Sequence, residues 1–114
     1  MRILRRSLYV LLALLIGSAS PMLAQETTGG IRGTVTDPSG GSVPNAKMEV
    51  TSPALVRTMS VTTDAAGAFA FLSLPPGRYD LSASTQGFRQ YKQSGIAVQV
   101  GRLLTIDVKL EVGA

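Results

Sequence analysis

The sequence contains no cysteine, no histidine and no tryptophan. Each absence closes a class of chemistry. Without cysteine there is no disulfide to staple the fold, no reactive thiol and no residue to lipidate behind an export signal. Without histidine or cysteine, structural zinc sites and most catalytic ones lose their ligands. Nucleophilic triads lose the base that ordinarily works near neutral pH. With no tryptophan and only 5% aromatic residues, a platform for stacking sugars has little to be made from.

Carboxylates remain for acid–base work: Glu26, Asp37, Glu49, Asp64, Asp80, Asp107 and Glu111. Asp37 and Asp64 head the glycine-containing stretches "DPSG" and "DAAG". Their side chains are expected to accept backbone N–H bonds and fix turns, with Pro38 and Gly67 as the partner turn residues. Calcium wants about six or more oxygens, and neither stretch has a second carboxylate nearby. The other acids fall at outward strand positions, where solvated charge is the default. The expectation is a non-enzymatic chain with no metal and no cofactor.

A net charge of +4 suggests nucleic acid until its placement is examined. Arg2, Arg5 and Arg6 supply three of the four units. From Gln25 onward, eight Lys/Arg face seven Asp/Glu. No basic arm is left to track a phosphate backbone, so nucleic-acid binding is not expected.

Residues 1–24 read as a secretory signal. "MRILRR" is a basic head, Leu8 to Gly17 a short apolar run, and "SASPMLA" a small-residue stretch with cleavage expected after Ala24. The competing reading is a membrane anchor. The run is about half of the roughly 20 residues a spanning helix needs, and Pro21 interrupts any extension. A cleaved signal is preferred. It implies export to the periplasm, the outer membrane or the exterior, with no membrane span after cleavage. Residues 25–28 form a flexible leader, and 29–112 a domain expected to be monomeric.

After Gln25 the apolar residues recur with a period of two. Ile31, Gly33 and Val35 share a face, as do Met48 and Val50, Met59 and Val61, and Phe69 and Phe71. Tyr79, Leu81 and Ala83 follow, then Ile96, Val98 and Val100. Last come Leu104, Ile106, Val108, Leu110 and Val112. Turn signals separate these runs; Pro75, Pro76 and Gly77 are the clearest. The pattern predicts an all-β, seven-stranded antiparallel sandwich, two sheets burying one face each. Phe88 and Tyr91 lie in "GFRQYKQSG", read as a connection between strands. Phe88, Arg89, Tyr91 and Lys92 are the candidate ligand or partner patch.

These motifs resemble the carboxypeptidase regulatory-like domain, of the transthyretin-like and collagen-adhesin B-type sandwiches. They are Gly33-x-Val35-x-Asp37, Val43-Pro44-x-Ala46, Thr63-Asp64-x-x-Gly67-x-Phe69, Leu74-Pro75-Pro76-Gly77-x-Tyr79-x-Leu81 and Gly87-Phe88. The resemblance implies a prealbumin-like or carbohydrate-binding-like fold. It also implies a setting like the N-terminal extension of TonB-dependent, Oar-like outer-membrane receptors, where a plug and a β-barrel follow. A free-standing domain and a receptor fragment are both compatible with it. The expected role is an accessory or interaction domain of the envelope, with an envelope protein or a glycan as partner. The alternative is a small carbohydrate-binding module.

Overall fold

The computed structural model describes residues 2–16 and 25–113. Arginine and leucine are strong helix formers, and the basic head and apolar run form helix α1 (Arg2–Ile16). Leu8 to Leu12 are all exposed. Among the described residues no helix is long and apolar enough to cross a membrane. The expected cleavage stretch, 18–24, lies outside the described residues.

The alternating segments become strands, and each apolar face turns inward. β1 (Gly29–Thr36) buries Ile31 and Val35, and β2 (Lys47–Thr51) buries Met48 and Val50. β3 (Met59–Thr62) half-buries Val61. β4 (Ala68–Leu74) buries Phe69, Phe71 and Leu74, and β5 (Gly77–Ser84) buries Tyr79, Leu81 and Ala83. β6 (Tyr91–Val98), β7 (Leu103–Thr105) and β8 (Val108–Lys109) complete the fold. One sheet runs β4-β1-β7, with β8 also on β1; the other runs β3-β2-β5-β6. Their inner faces share one core. Phe69 and Phe71 meet edge to face there, 6.3 Å between ring centroids.

Four details differ from the periodicity. First, there are eight strands, not seven, because "LLTIDVKLEV" breaks at Ile106 and Asp107. Second, the sandwich is not antiparallel throughout: β7 and β8 run parallel to β1. The turn after β6 reverses the chain and carries it into the other sheet, where the reversed direction matches β1. Gly30 faces Leu103 and Thr36 faces Lys109 in a register that is the same on both sides of the break. At the break the Ile106 carbonyl occupies the place a Cβ on Gly33 would take, and the Ile106 N–H donates to the Arg32 carbonyl at 2.7 Å. The strand kinks into a gap that a missing side chain provides.

Third, "YKQS" is strand rather than connection. Ala83 faces Tyr91 and Tyr79 faces Ile96, with an extra residue on β6 between them. This bulge shifts the inward set out of phase, so a strict period of two misses it. Fourth, Met59, Val100 and Val112 are exposed. Met59 is on an edge strand paired only with β2. Val100 is in the turn closed by the Arg102 N–H bond to the Gln99 carbonyl. Val112 lies beyond β8, bridged to Phe88.

Candidate functional site

The family-like motifs mostly resolve into internal hydrogen bonds. Asp37 Oδ1 accepts from the Ser39 and Gly41 N–H groups, both at 2.9 Å, and from the Ser39 hydroxyl at 2.6 Å. The Ser39 hydroxyl and then the Gly41 N–H hold the Asp37 carboxyl below its ordinary range. Pro38 is in the same turn. Asp64 Oδ1 accepts from Ala66 and Ala68 N–H, each at 2.9 Å. Gly67 lies in that turn at φ +73, where a Cβ would meet the Val35 carbonyl at 2.6 Å. Only glycine suits that conformation and that approach.

Thr63, buried and polar, ties two loops together. Its hydroxyl donates to the Val43 carbonyl at 2.7 Å and accepts from Ala46 N–H at 2.9 Å. Pro75, Pro76 and Gly77 turn β4 into β5, and the Tyr79 hydroxyl donates back to the Pro75 carbonyl at 2.6 Å. Burial pushes the Tyr79 pKa up from 10.0. These polar groups serve the framework. Among the described residues no three His, Cys, Asp or Glu side chains gather as a metal cluster.

The remaining candidate is a groove where the chain leaves the sandwich. Beyond β5 the chain turns through Thr85 to Gly87, and Phe88 bridges to Val112. Phe88 is half-buried and packs on the core instead of lining the groove. Arg89 N–H donates to the Glu111 carbonyl at 2.8 Å, which sets the two segments side by side. Their side chains pair loosely, at 3.9 Å. Tyr91 leans on the core, and its hydroxyl donates to Gln93 Oε1 at 2.7 Å.

The resulting groove, about 280 Å³, is lined by Arg89, Tyr91, Lys92, Lys109, Leu110 and Glu111, together with Gln90. It combines three cations with one carboxylate over a buried Leu110. The exposed Arg89–Glu111 pair, at 3.9 Å, adds little stability and leaves the groove net positive. The groove offers cationic and amide donors beside an aromatic edge. Lys109 and Glu111 were missed by sequence reasoning, because alternation reads them as ordinary solvated positions. Only the return of the last strand beside Arg89 brings them in. Two other depressions lie beside Arg78 and Asp80, about 440 Å³, and beside Leu72 and Leu103, about 230 Å³.

The sequence profile of the carboxypeptidase regulatory-like domain matches residues 30–111. The chain belongs to this family. It is 37% identical, over 111 residues, to the TonB-dependent transporter Oar of Myxococcus xanthus. The match takes in 96% of the chain but 10% of the transporter. It therefore includes most of the N-terminal segment as well as the sandwich, and the chain spans about a tenth of that relative's length.

Among solved structures that share the fold, two show its range. One is a candidate carbohydrate-binding protein of Bacteroides uniformis, with a TM-score of 0.59 and 15% identity, matching 72% of this chain and 40% of that one. The other is the 3-chlorocatechol 1,2-dioxygenase of Rhodococcus opacus, with a TM-score of 0.59 and 11% identity, matching 82% and 63%. At such identities the likeness concerns architecture alone. One sandwich hosts unrelated tasks.

Proposed function

We propose that this chain is a non-enzymatic interaction domain of the bacterial envelope, corresponding to the N-terminal extension of a TonB-dependent receptor. The observation that carries this reading is the 37% identity to the transporter across 96% of the chain. The N-terminal segment is taken as an export signal cleaved after Ala24, and its basic head and apolar helix support that. Residues 25–28 are a leader, and the sandwich of 29–112 is the working unit, a monomer. Contact with an envelope protein is assigned to the groove of Arg89, Tyr91 and Lys92, extended by Lys109 and Glu111, with Phe88 as its core-side support.

A non-catalytic role is supported by the absence of His and Cys and by the turn duties of Asp37 and Asp64. Tyr79, Phe69 and Phe71 are buried, so stacking on a sugar would fall to the half-buried Tyr91. Nothing favours the carbohydrate reading specifically.

The direct test is the DNA that follows the Ala114 codon. Plug and barrel sequence in frame is expected; an unrelated gene behind a stop codon sinks the receptor assignment. Fractionation of the native cell is expected to place the protein in the envelope, with a mature N-terminus at Gln25. A glycan array with the purified protein is expected to be blank. Binding abolished by Tyr91→Ala would favour the carbohydrate alternative instead.

A further inference from the structure

We propose that the domain also bears load, with β1 and the β7–β8 strand forming a shear clamp between the points where the chain enters and leaves the sandwich. The chain enters at Gly29, the start of β1, and leaves beyond β8. Because these strands are neighbours and parallel, entrance and exit lie at opposite ends. Tension between the two points pulls β1 toward its start and β8 toward its finish. Displacement then runs along the strands, and the bonds of the shared boundary must yield together. An antiparallel pair would place both points at one end, and its bonds would open one at a time. The inference rests on topology, so it stands apart from the interaction reading.

The boundary is well furnished. Gly30 N–H donates to the Arg102 carbonyl at 2.9 Å, Ile106 N–H to Arg32 at 2.7 Å, and Leu110 N–H to Thr36 at 2.8 Å. On the outer face Arg32 Nε donates to the Thr105 hydroxyl at 3.5 Å, and the Thr34 hydroxyl donates to Asp107 Oδ1 at 3.2 Å. On the inner face Ile31, Val35, Val108 and Leu110 are buried, so sliding drags apolar side chains through a packed core.

The kink adds a notch. The Ile106 carbonyl is seated over Gly33, and a slip by two residues, the shift that keeps the same faces together, would set it against the Ile31 or Val35 side chain. The exit is held too: Arg89 N–H bonds to the Glu111 carbonyl, and Gly113 N–H bonds to Gly87 at 3.4 Å. These bonds take load in series with β8.

The absence of cysteine makes the test clean. In the full chain, Thr27→Cys with Val112→Cys gives two unique attachment points along the entrance–exit axis. Thr27→Cys with Val100→Cys gives two at the same end. Both pairs are pulled in optical tweezers at one loading rate, where rupture reports the unfolding rate under force. The first pair is expected to rupture at higher force. Thr34→Val should lower that force while leaving the second pair's distribution in place. Equal forces, or a weaker first pair, overturn the clamp, as does a Thr34→Val shift common to both axes. Should Val112→Cys disturb the tail, Ala114→Cys replaces it.

Discussion

Leu74 to Tyr79 and Phe88 to Lys92 both lead into a strand and both carry aromatic and charged residues, and they have opposite fates. In the first, the prolines turn the chain, Leu74 and Tyr79 sink into the core, and the tyrosine hydroxyl finds the Pro75 carbonyl. In the second, Phe88 and Tyr91 lean on the core while Arg89 and Lys92 stay exposed beside Lys109. In the first, the tyrosine hydroxyl and the Pro75 carbonyl satisfy each other, and Arg78 is its one exposed charge. The second presents charge to solvent. The difference teaches that motif-like residues mark a site only where they remain unspent after folding.

Substitutions should separate the two regions by size of effect. Phe71→Ala, behind the proline turn, removes a fully buried ring and is expected to destabilise by about 3–5 kcal/mol, read as a lowered urea midpoint. Gly33→Ala forces the Ile106 carbonyl off β1, an overpacking expected to cost about 1–3 kcal/mol or more. Hydrogen exchange should show the loss concentrated in β7 and β8. Tyr79→Phe removes the donor to the half-exposed Pro75 carbonyl and is expected to cost about 0.5–1.5 kcal/mol.

The same tyrosine predicts an alkaline limit. Its pKa is raised in the fold, so its contribution is complete below pH 10.0 and is lost as pH rises above it. Ultraviolet titration should find one tyrosine ionising after the others, and Tyr79→Phe should remove that transition.

Smaller effects belong to exposed carboxylates. Asp37 is lowered by Ser39 and Gly41, and Glu49 by the hydrogen bond and charge of Lys47. A depressed folded pKa supplies stability above the ordinary value and loses it as pH falls through the folded one. The urea midpoint should therefore drop below about pH 4, and Asp37→Asn should flatten that drop. Smallest of all, Arg89→Ala and Lys109→Ala should change stability by no more than about 0.5 kcal/mol. If the groove is the contact surface, these silent changes are the ones that weaken capture of the envelope protein. A groove substitution that unfolds the chain would erase the contrast between the two regions.

Much of the framework was legible because strand faces announce themselves. Ile31, Val35, Met48, Val50, Tyr79 and Leu81 alternate with polar neighbours, and each is buried. The turns around Asp37 and Asp64 were legible for a local reason: carboxylate and N–H groups lie two to four residues apart. The patch was legible only where it is contiguous, from Phe88 to Lys92. "YKQS" hid its strand because a bulge breaks the period. Lys109 and Glu111 hid their place in the groove because nothing local records which segment a returning strand will lie beside.

The sequence by itself determined the class of fold, the inward residues, the turn chemistry and the exclusion of thiol and histidine chemistry, since all of these depend on residue type and short spacing. Tertiary structure alone decided that the last strand runs parallel to the first, that it kinks at Gly33, and that three cations meet where the chain leaves. Those outcomes rest on contacts between segments far apart in the chain. There the space left by one missing side chain, and the direction from which a strand arrives, settle what periodicity leaves open.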